Sequence, residues 1–280
     1  MRSLDMVGLV SEELANERCS VLLLRWGDAG SAGADVAVTT RPGGGSKPPY
    51  DTLNLGLHVG DDAADVVENR ERAAAAFGVG LGELVFARQV HGAAAVFVGG
   101  ADAGRGARAE DDAVADADVL VTSTPGVTLA ILVADCVPLA LVDPVARVLA
   151  VVHAGWRGTA AGVVGAALDA MAERGAEAGR VRAWVGPGVA AESYQVTDGV
   201  RDRLEGAVRP AALDDGVARA DGPGHWLVDL AAANRQQLRR RGVPGEQISD
   251  CGLTTADERL FSDRAARPCG RFALLARLVD

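Results

Sequence analysis

Residues 126–159 read GVTLAILVADCVPLALVDPVARVLAVVHAGWRGT, and this stretch decides the fold class. It holds three runs of Val, Leu, Ile and Ala: Val127–Ala134, Val137–Val142 and Val148–Val152. Each is too short to stand as a free helix, and Asp143-Pro144 and Ala154-Gly155 interrupt them as turns. Short unbroken apolar runs bounded by turn residues predict strands buried on both faces. The first run ends in Asp135-Cys136 and the third in His153, which places a thiol and an imidazole at strand ends. Gly155-Trp156-Arg157-Gly158-Thr159 follows, then a helical pattern. A strand–turn–helix unit of this kind presents backbone N–H groups and an arginine beside the histidine, a setting that suits an anion.

Outward from this centre, the spacing predicts further strands at Val21–Trp26, Val36–Thr40, Leu84–Arg88, Ala93–Val98, Val119–Thr122, Val181–Val185, Ile248–Cys251 and Phe272–Leu278. Helices are expected at Ala64–Phe77, capped by Asp61-Asp62, at Thr159–Arg174, with Thr159 as N-cap and Gly175 as stop, and over Leu227–Arg240. Gly99–Asp116 reads as an exposed acidic loop, and residues 1–20 as an N-terminal extension without a packing partner. No internal repeat or linker divides the remainder, so residues 21–280 are read as one α/β domain with mixed sheets.

The chain of 280 residues is 49% hydrophobic and 24% charged, enough for a large core. Its net charge of −10, without a basic stripe, argues against a nucleic-acid partner. No run reaches the ~18–20 apolar residues of a membrane span, and the N-terminus lacks the apolar core of a signal peptide. The four cysteines (Cys19, Cys136, Cys251, Cys269) are too scattered for a disulfide framework. A cytoplasmic location is expected.

There are four histidines: His58, His91, His153 and His225. His91 and His153 follow apolar strands and precede glycine-containing turns, as Cys136 follows the first central run. Two imidazoles and a thiolate from three strand ends match a catalytic zinc site with an open fourth position. The spacings, 136 − 91 = 45 and 153 − 136 = 17, are not those of a zinc finger. The same residues also fit a Cys136 nucleophile activated by His153, or an unrelated buried thiol and two structural histidines. Asp135 is either an acceptor for a ligand histidine or a turn residue. Arg70, Arg88 and Arg157 lie near these elements and suit a phosphate or carboxylate, or else surface ion pairs. Trp156, Tyr194 and Trp226 are stacking candidates for a base, or core residues.

In order along residues 39–278, the segments TTRPGGG, NLGLHVGDD followed by VVENR, RQVHG, ADVLVTSTPGVTLAILVADCVPLALVDP, LAVVHAGWRGT, WVGPGV, and FSDR followed by GRFALLARL resemble the YfiH-like (FAMIN) family. That family was long labelled multicopper polyphenol oxidase or laccase. The resemblance implies a single-domain, four-layer α/β/β/α sandwich, akin in architecture to a toxin deamidase with a Cys–His site. It implies zinc held by His91, Cys136 and His153, and a cavity lined by Arg70, Arg157 and Asn54. The implied activity is phosphorolysis of adenosine, inosine, guanosine and methylthioadenosine, with hydrolytic deamination of adenosine. The implied partners are purine nucleosides and inorganic phosphate, and a monomer is expected. Cys136, His153 and Arg157 are the expected catalytic residues. Ser193, Thr254-Thr255 and Asp263 depart from the family pattern, at positions expected on the far wall of the pocket. The copper label fits the residues poorly: there is no His-x-His pair, and Met1, Met6 and Met171 offer no plausible axial ligand. Two other classes remain beside the phosphorylase: a Cys–His thiol hydrolase or amidase, and a non-catalytic zinc or nucleotide-binding module.

Overall fold

The computed structural model describes residues 9–16, 19–207 and 217–279, with side chains from Val21 onward. One six-stranded sheet runs, in spatial order, β1 (Leu9–Asn16), β2 (Cys19–Trp26), β3 (Ala34–Thr39), β15 (Phe272–Leu278), β7 (Thr128–Val133) and β4 (Leu84–Phe86). The second runs β14 (Ile248–Asp250), β10 (Arg182–Val185), β8 (Val137–Asp143), β9 (Val148–Ala154), β6 (Val119–Thr122) and β5 (Ala95–Phe97). Both sheets are mixed: β4–β7, β5–β6 and β10–β14 pair in parallel and the other neighbours antiparallel. A small third sheet holds β11 (Gln195–Thr197), β13 (His225–Val228) and β12 (Ala218–Ala220). The helices are α1 (Ala63–Phe77), α2 (Trp156–Ala160), α3 (Val163–Ala172), α4 (Asp198–Ala207) and α5 (Leu230–Arg240).

Side-chain alternation along the strands builds the layers. In β7, Leu129, Ile131 and Val133 face the second sheet, meeting Leu149 and Val151 of β9. The intervening Ala130 and Leu132 pack with Ala73, Ala74 and Phe77 of α1. In β9, Val148, Ala150 and Val152 face the other way, onto Val163, Ala167 and Met171 of α3 and Leu238 of α5. The order is therefore helix, sheet, sheet, helices: the four-layer α/β/β/α sandwich. The unbroken apolar runs of β7, β8 and β9 follow from this, since each strand is buried on both faces along its whole length. His153 continues the Leu149–Val151 alternation, so its side chain emerges between the sheets at the end of the sandwich.

Several local expectations change. The helix expected over 159–174 begins earlier, at Trp156, and is broken by Gly162 in the left-handed region (φ 82°) before α3 starts. Asp229, not Leu227, marks the start of α5, its carboxylate accepting from the N–H of Ala232 (2.7 Å). The 99–116 loop is no free excursion: Val114 exchanges backbone hydrogen bonds with Phe86 and Arg88, extending β4. Of the extension expected over 1–20, residues 1–8 and 17–18 lie outside the described residues, whereas Leu9–Asn16 is a strand paired along its length with β2. Among the described residues, no helix is long and apolar enough to cross a membrane.

Candidate metal centre

The centre lies where β4, β7 and β9 end. β4 passes into Arg88-Gln89-Val90-His91, and Gln89 ties this turn to β7: its amide donates to Leu132 O and accepts from Leu132 N, both at 2.8 Å. His91 itself has φ 59°, a left-handed conformation uncommon outside glycine and strained enough to suggest function. Asp135, between β7 and β8, is also left-handed (φ 83°), which turns the chain so that Cys136 faces the same space. β9 supplies His153.

These three side chains converge. One ligand atom from each of His91, Cys136 and His153 lies within 4.8 Å of the other two. They are exposed, half-buried and buried respectively, so the centre has a closed floor and an open mouth. The imidazole rings meet edge to face, with centroids 4.7 Å apart. Gly155 makes room: a Cβ there would lie 2.8 Å from Cys136 Sγ and 3.2 Å from His91 Cδ2. The nitrogen–nitrogen–sulfur set suits zinc, and among the described residues it is the only group of three or more His, Cys, Asp or Glu placed to hold a metal.

The acceptor for His153 is Asp118, at the start of β6, rather than Asp135. Asp118 Oδ1 lies 2.7 Å from His153 Nδ1, and the carboxylate also accepts from the backbone N–H groups of His91 (2.9 Å) and Gly92 (2.6 Å). Burial favours its neutral form, but these hydrogen bonds outweigh it and hold the carboxyl below its usual range. With Nδ1 committed to Asp118, His153 presents Nε2 to the centre. Burial also opposes ionisation of Cys136, yet the charge and hydrogen bond of His153, with help from His91, bring the thiol down to about 6. Burial lowers His153, and Cys136 with Asp118 reverses this, raising it to about 9. Without a metal, these shifts favour a thiolate beside an imidazolium.

Asp135 does a different job. Its carboxylate receives Thr255 Oγ1 (2.5 Å), Ser262 Oγ (2.7 Å) and the N–H of Arg264 (2.6 Å), which pins the far wall of the cavity. That cavity, of about 480 Å³, opens over the centre. Its arginines are mostly committed: Arg88 pairs with Asp116, and Arg267 and Arg271 share Asp263. Arg264 donates to the carbonyls of Ser193 and Gln195. Arg70 is 2% exposed, stacks 4.0 Å over Phe86, and gives Nε and Nη1 to the carbonyls of Leu55, Gly106 and Ala107. Burial lowers its pKa to about 9, against the opposing charge of Glu110. Arg157 lies over Trp156 (4.6 Å) and makes no ion pair or side-chain hydrogen bond among the described residues. Both Arg70 and Arg157 line the cavity, as do Trp156 and Tyr194. Trp226 does not; its indole N–H binds Asp198 beside the small sheet. Asn54, expected at the cavity, is fully buried elsewhere: its amide binds Asp61 and Gly56 and accepts from the N–H of Arg271. It touches the cavity lining through Arg271. Of the departures, Asp263 lines the cavity, while Ser193 and Thr255 touch its wall through Arg264 and Asp135.

A family model described as multi-copper polyphenol oxidoreductase laccase matches residues 35–279. The crystal structure of YfiH from Bacillus licheniformis aligns with a TM-score of 0.87 at 32% identity, covering 95% of this chain and 98% of that one. The chain belongs to the YfiH-like family. YlmD from Geobacillus stearothermophilus aligns with a TM-score of 0.88 at 36% identity, over 97% of this chain and all of its own (100%). The purine nucleoside phosphorylase Rv2149c of Mycobacterium tuberculosis (strain ATCC 25618 / H37Rv) is 41% identical over 251 residues, covering 89% of this chain and 94% of the relative. In this YfiH-like chain, two imidazoles and one thiolate are placed to hold a single metal ion, and no methionine is among the residues lining the cavity.

Proposed function

We propose that the chain is a zinc-dependent purine nucleoside phosphorylase. It would take adenosine, inosine, guanosine or methylthioadenosine with inorganic phosphate to the free base and the sugar 1-phosphate, with adenosine deamination as a side activity. The observation that carries this reading is the convergence of His91, Cys136 and His153 at the floor of a cavity whose uncommitted cation is Arg157. A volume of about 480 Å³ falls in the range of small-molecule sites. The naming of a relative 41% identical as a purine nucleoside phosphorylase supports the same reaction.

In phosphorolysis a phosphate oxygen bonds to the anomeric carbon as the bond to the purine nitrogen breaks, and its electron pair leaves with the base. Arg157, braced on Trp156, binds the phosphate and orients it for attack, with Arg70 as a second contact. Trp156 and Tyr194 offer flat surfaces for the purine. Burial and the negative charge of Cys136 raise the pKa of Tyr194, so its phenol keeps its proton and can donate a hydrogen bond. His91, Cys136 and His153 would hold the zinc, which supplies Lewis acidity toward the leaving base or lowers the pKa of water for deamination. Three unpaired cysteines among the described residues suit a reducing cytoplasm.

The thiolate–imidazolium pair favours a second reading, a Cys136–His153 thiol hydrolase or amidase. Metal analysis of the purified chain, together with base release from inosine, separates the two. About one zinc per chain with base release supports the phosphorylase. Metal-free protein that releases no base overturns it.

A further inference from the structure

We propose that Asp118 is the positioning residue of the centre: this one buried carboxylate selects the nitrogen that His153 offers and holds the backbone turn that carries His91. The proposal rests on the metal-centre reading above.

Asp118 is fully buried, and the hydrogen bonds of its carboxylate go to His153 and to the turn that carries His91. Oδ1 meets His153 Nδ1 at 2.7 Å and accepts from the N–H of His91 at 2.9 Å. Oδ2 accepts from the N–H of Gly92 at 2.6 Å and that of Val90 at 3.3 Å. Three successive amides thus wrap one carboxylate, forming a nest of backbone donors. Closing it requires the left-handed turn at His91 (φ 59°), a conformation that persists only where its surroundings enforce it. The main chain of Asp118 adds a further tie, since its carbonyl accepts the N–H of His153 at 2.8 Å.

Both oxygens already accept backbone N–H groups, so the carboxyl is placed as an acceptor toward His153. Nδ1 of His153 must therefore be the donor, which leaves Nε2 facing Cys136 and His91. Two ligands on different strands are fixed by a single charge. Asparagine has nearly the same shape but only one acceptor. In one orientation its NH₂ confronts the N–H groups of Gly92 and Val90; in the other it confronts Nδ1 of His153 and forces the opposite tautomer. Either way one histidine is released.

The test uses the full chain, with cadmium-113 as the metal probe and ¹⁵N-labelled histidine. In the unsubstituted protein, the metal should show scalar coupling to Nε2 of His153 while Nδ1 keeps its proton. Chelator competition should show Asp118→Asn binding cadmium about 10–100-fold more weakly, with histidine shifts reporting a changed tautomer or a freed ring. Coupling to Nδ1 in the unsubstituted chain would overturn the proposal, and this arm holds even if the variant fails to fold. Affinity in Asp118→Asn within twofold of the unsubstituted chain would also overturn it while leaving the metal reading intact. No cadmium binding by the unsubstituted chain would overturn the metal reading, and the proposal with it.

Discussion

Replacing Gly155 by alanine places one methyl group against two of the three side chains of the centre. The backbone at this residue (φ −74°, ψ 168°) is open to alanine, so no conformational strain confuses the result. The new Cβ would lie 2.8 Å from Cys136 Sγ and 3.2 Å from His91 Cδ2. Comfortable contacts of this kind sit near ~3.5–4.0 Å, so the sulfur must retreat by roughly 0.7–1.2 Å. That exceeds the ~0.2 Å latitude of a metal–ligand distance several times over. A displacement of about 1 Å at a reacting centre costs on the order of 100-fold in rate. Overpacking costs about 1–3 kcal/mol in a closed core; Gly155 is buried, but the Cys136 and His91 side chains it meets are half-buried and exposed and can give way, so the lower figure applies. Gly155→Ala should therefore lower zinc affinity at least ~10-fold and nucleoside turnover ~100-fold, with a loss of about 1 kcal/mol in stability. Chelator competition, base release and thermal melting measure the three. Gly162→Ala is the control: its site is left-handed (φ 82°) with nothing within 4 Å of the added Cβ. It should cost about 1–2 kcal/mol and leave metal affinity unchanged. If Gly155→Ala bound zinc as tightly as the unsubstituted chain, the close-packed geometry of the centre would be refuted.

Three other outcomes are expected. In the metal-free chain the depressed Cys136 pKa means that thiolate forms at unusually low pH, so alkylation by iodoacetamide should reach half its maximal rate near pH 6; His153→Ala should move that midpoint upward and zinc should suppress the reaction, whereas a midpoint above ~8 would refute the pairing. Asp135→Asn keeps one acceptor but turns an NH₂ toward a donor of the far wall, so it should cost about 1–2 kcal/mol and raise the KM for nucleoside while zinc affinity stays unchanged; lost zinc would place Asp135 at the centre after all. Arg157→Lys keeps the charge without the planar fork and should raise the phosphate concentration needed for half-maximal base release ~10-fold, measured by titrating phosphate; an unchanged curve would move the phosphate seat to Arg70.

The strands of the central stretch were legible because burial on both faces leaves an unbroken apolar run, as in β7, β8 and β9. The positions of His91, Cys136 and His153 were legible as polar residues at the ends of such runs, although only the fold shows that these ends meet. Asp118 was missed. In ADADVLV it reads as one more acid before a strand, and its role depends on the register that pairs Val119 with Val152, beyond the reach of local pattern. The break at Gly162 was hidden because the apolar spacing continues across it, and helix α4 with the small sheet escaped because its segment, DGVRDRLEGA, is short and mostly polar. Asn54 carries a family motif, yet the motif reflects a buried hydrogen-bond hub rather than a cavity wall. Resemblance marks residues that matter without saying whether they touch the ligand.

Phosphorolysis is measured directly by ³¹P NMR of the purified, zinc-loaded chain incubated with inosine and increasing inorganic phosphate. A ribose 1-phosphate signal should grow in step with hypoxanthine release, with a rate that saturates in phosphate. Hypoxanthine released at the same rate without phosphate, and no sugar phosphate signal, would contradict phosphorolysis.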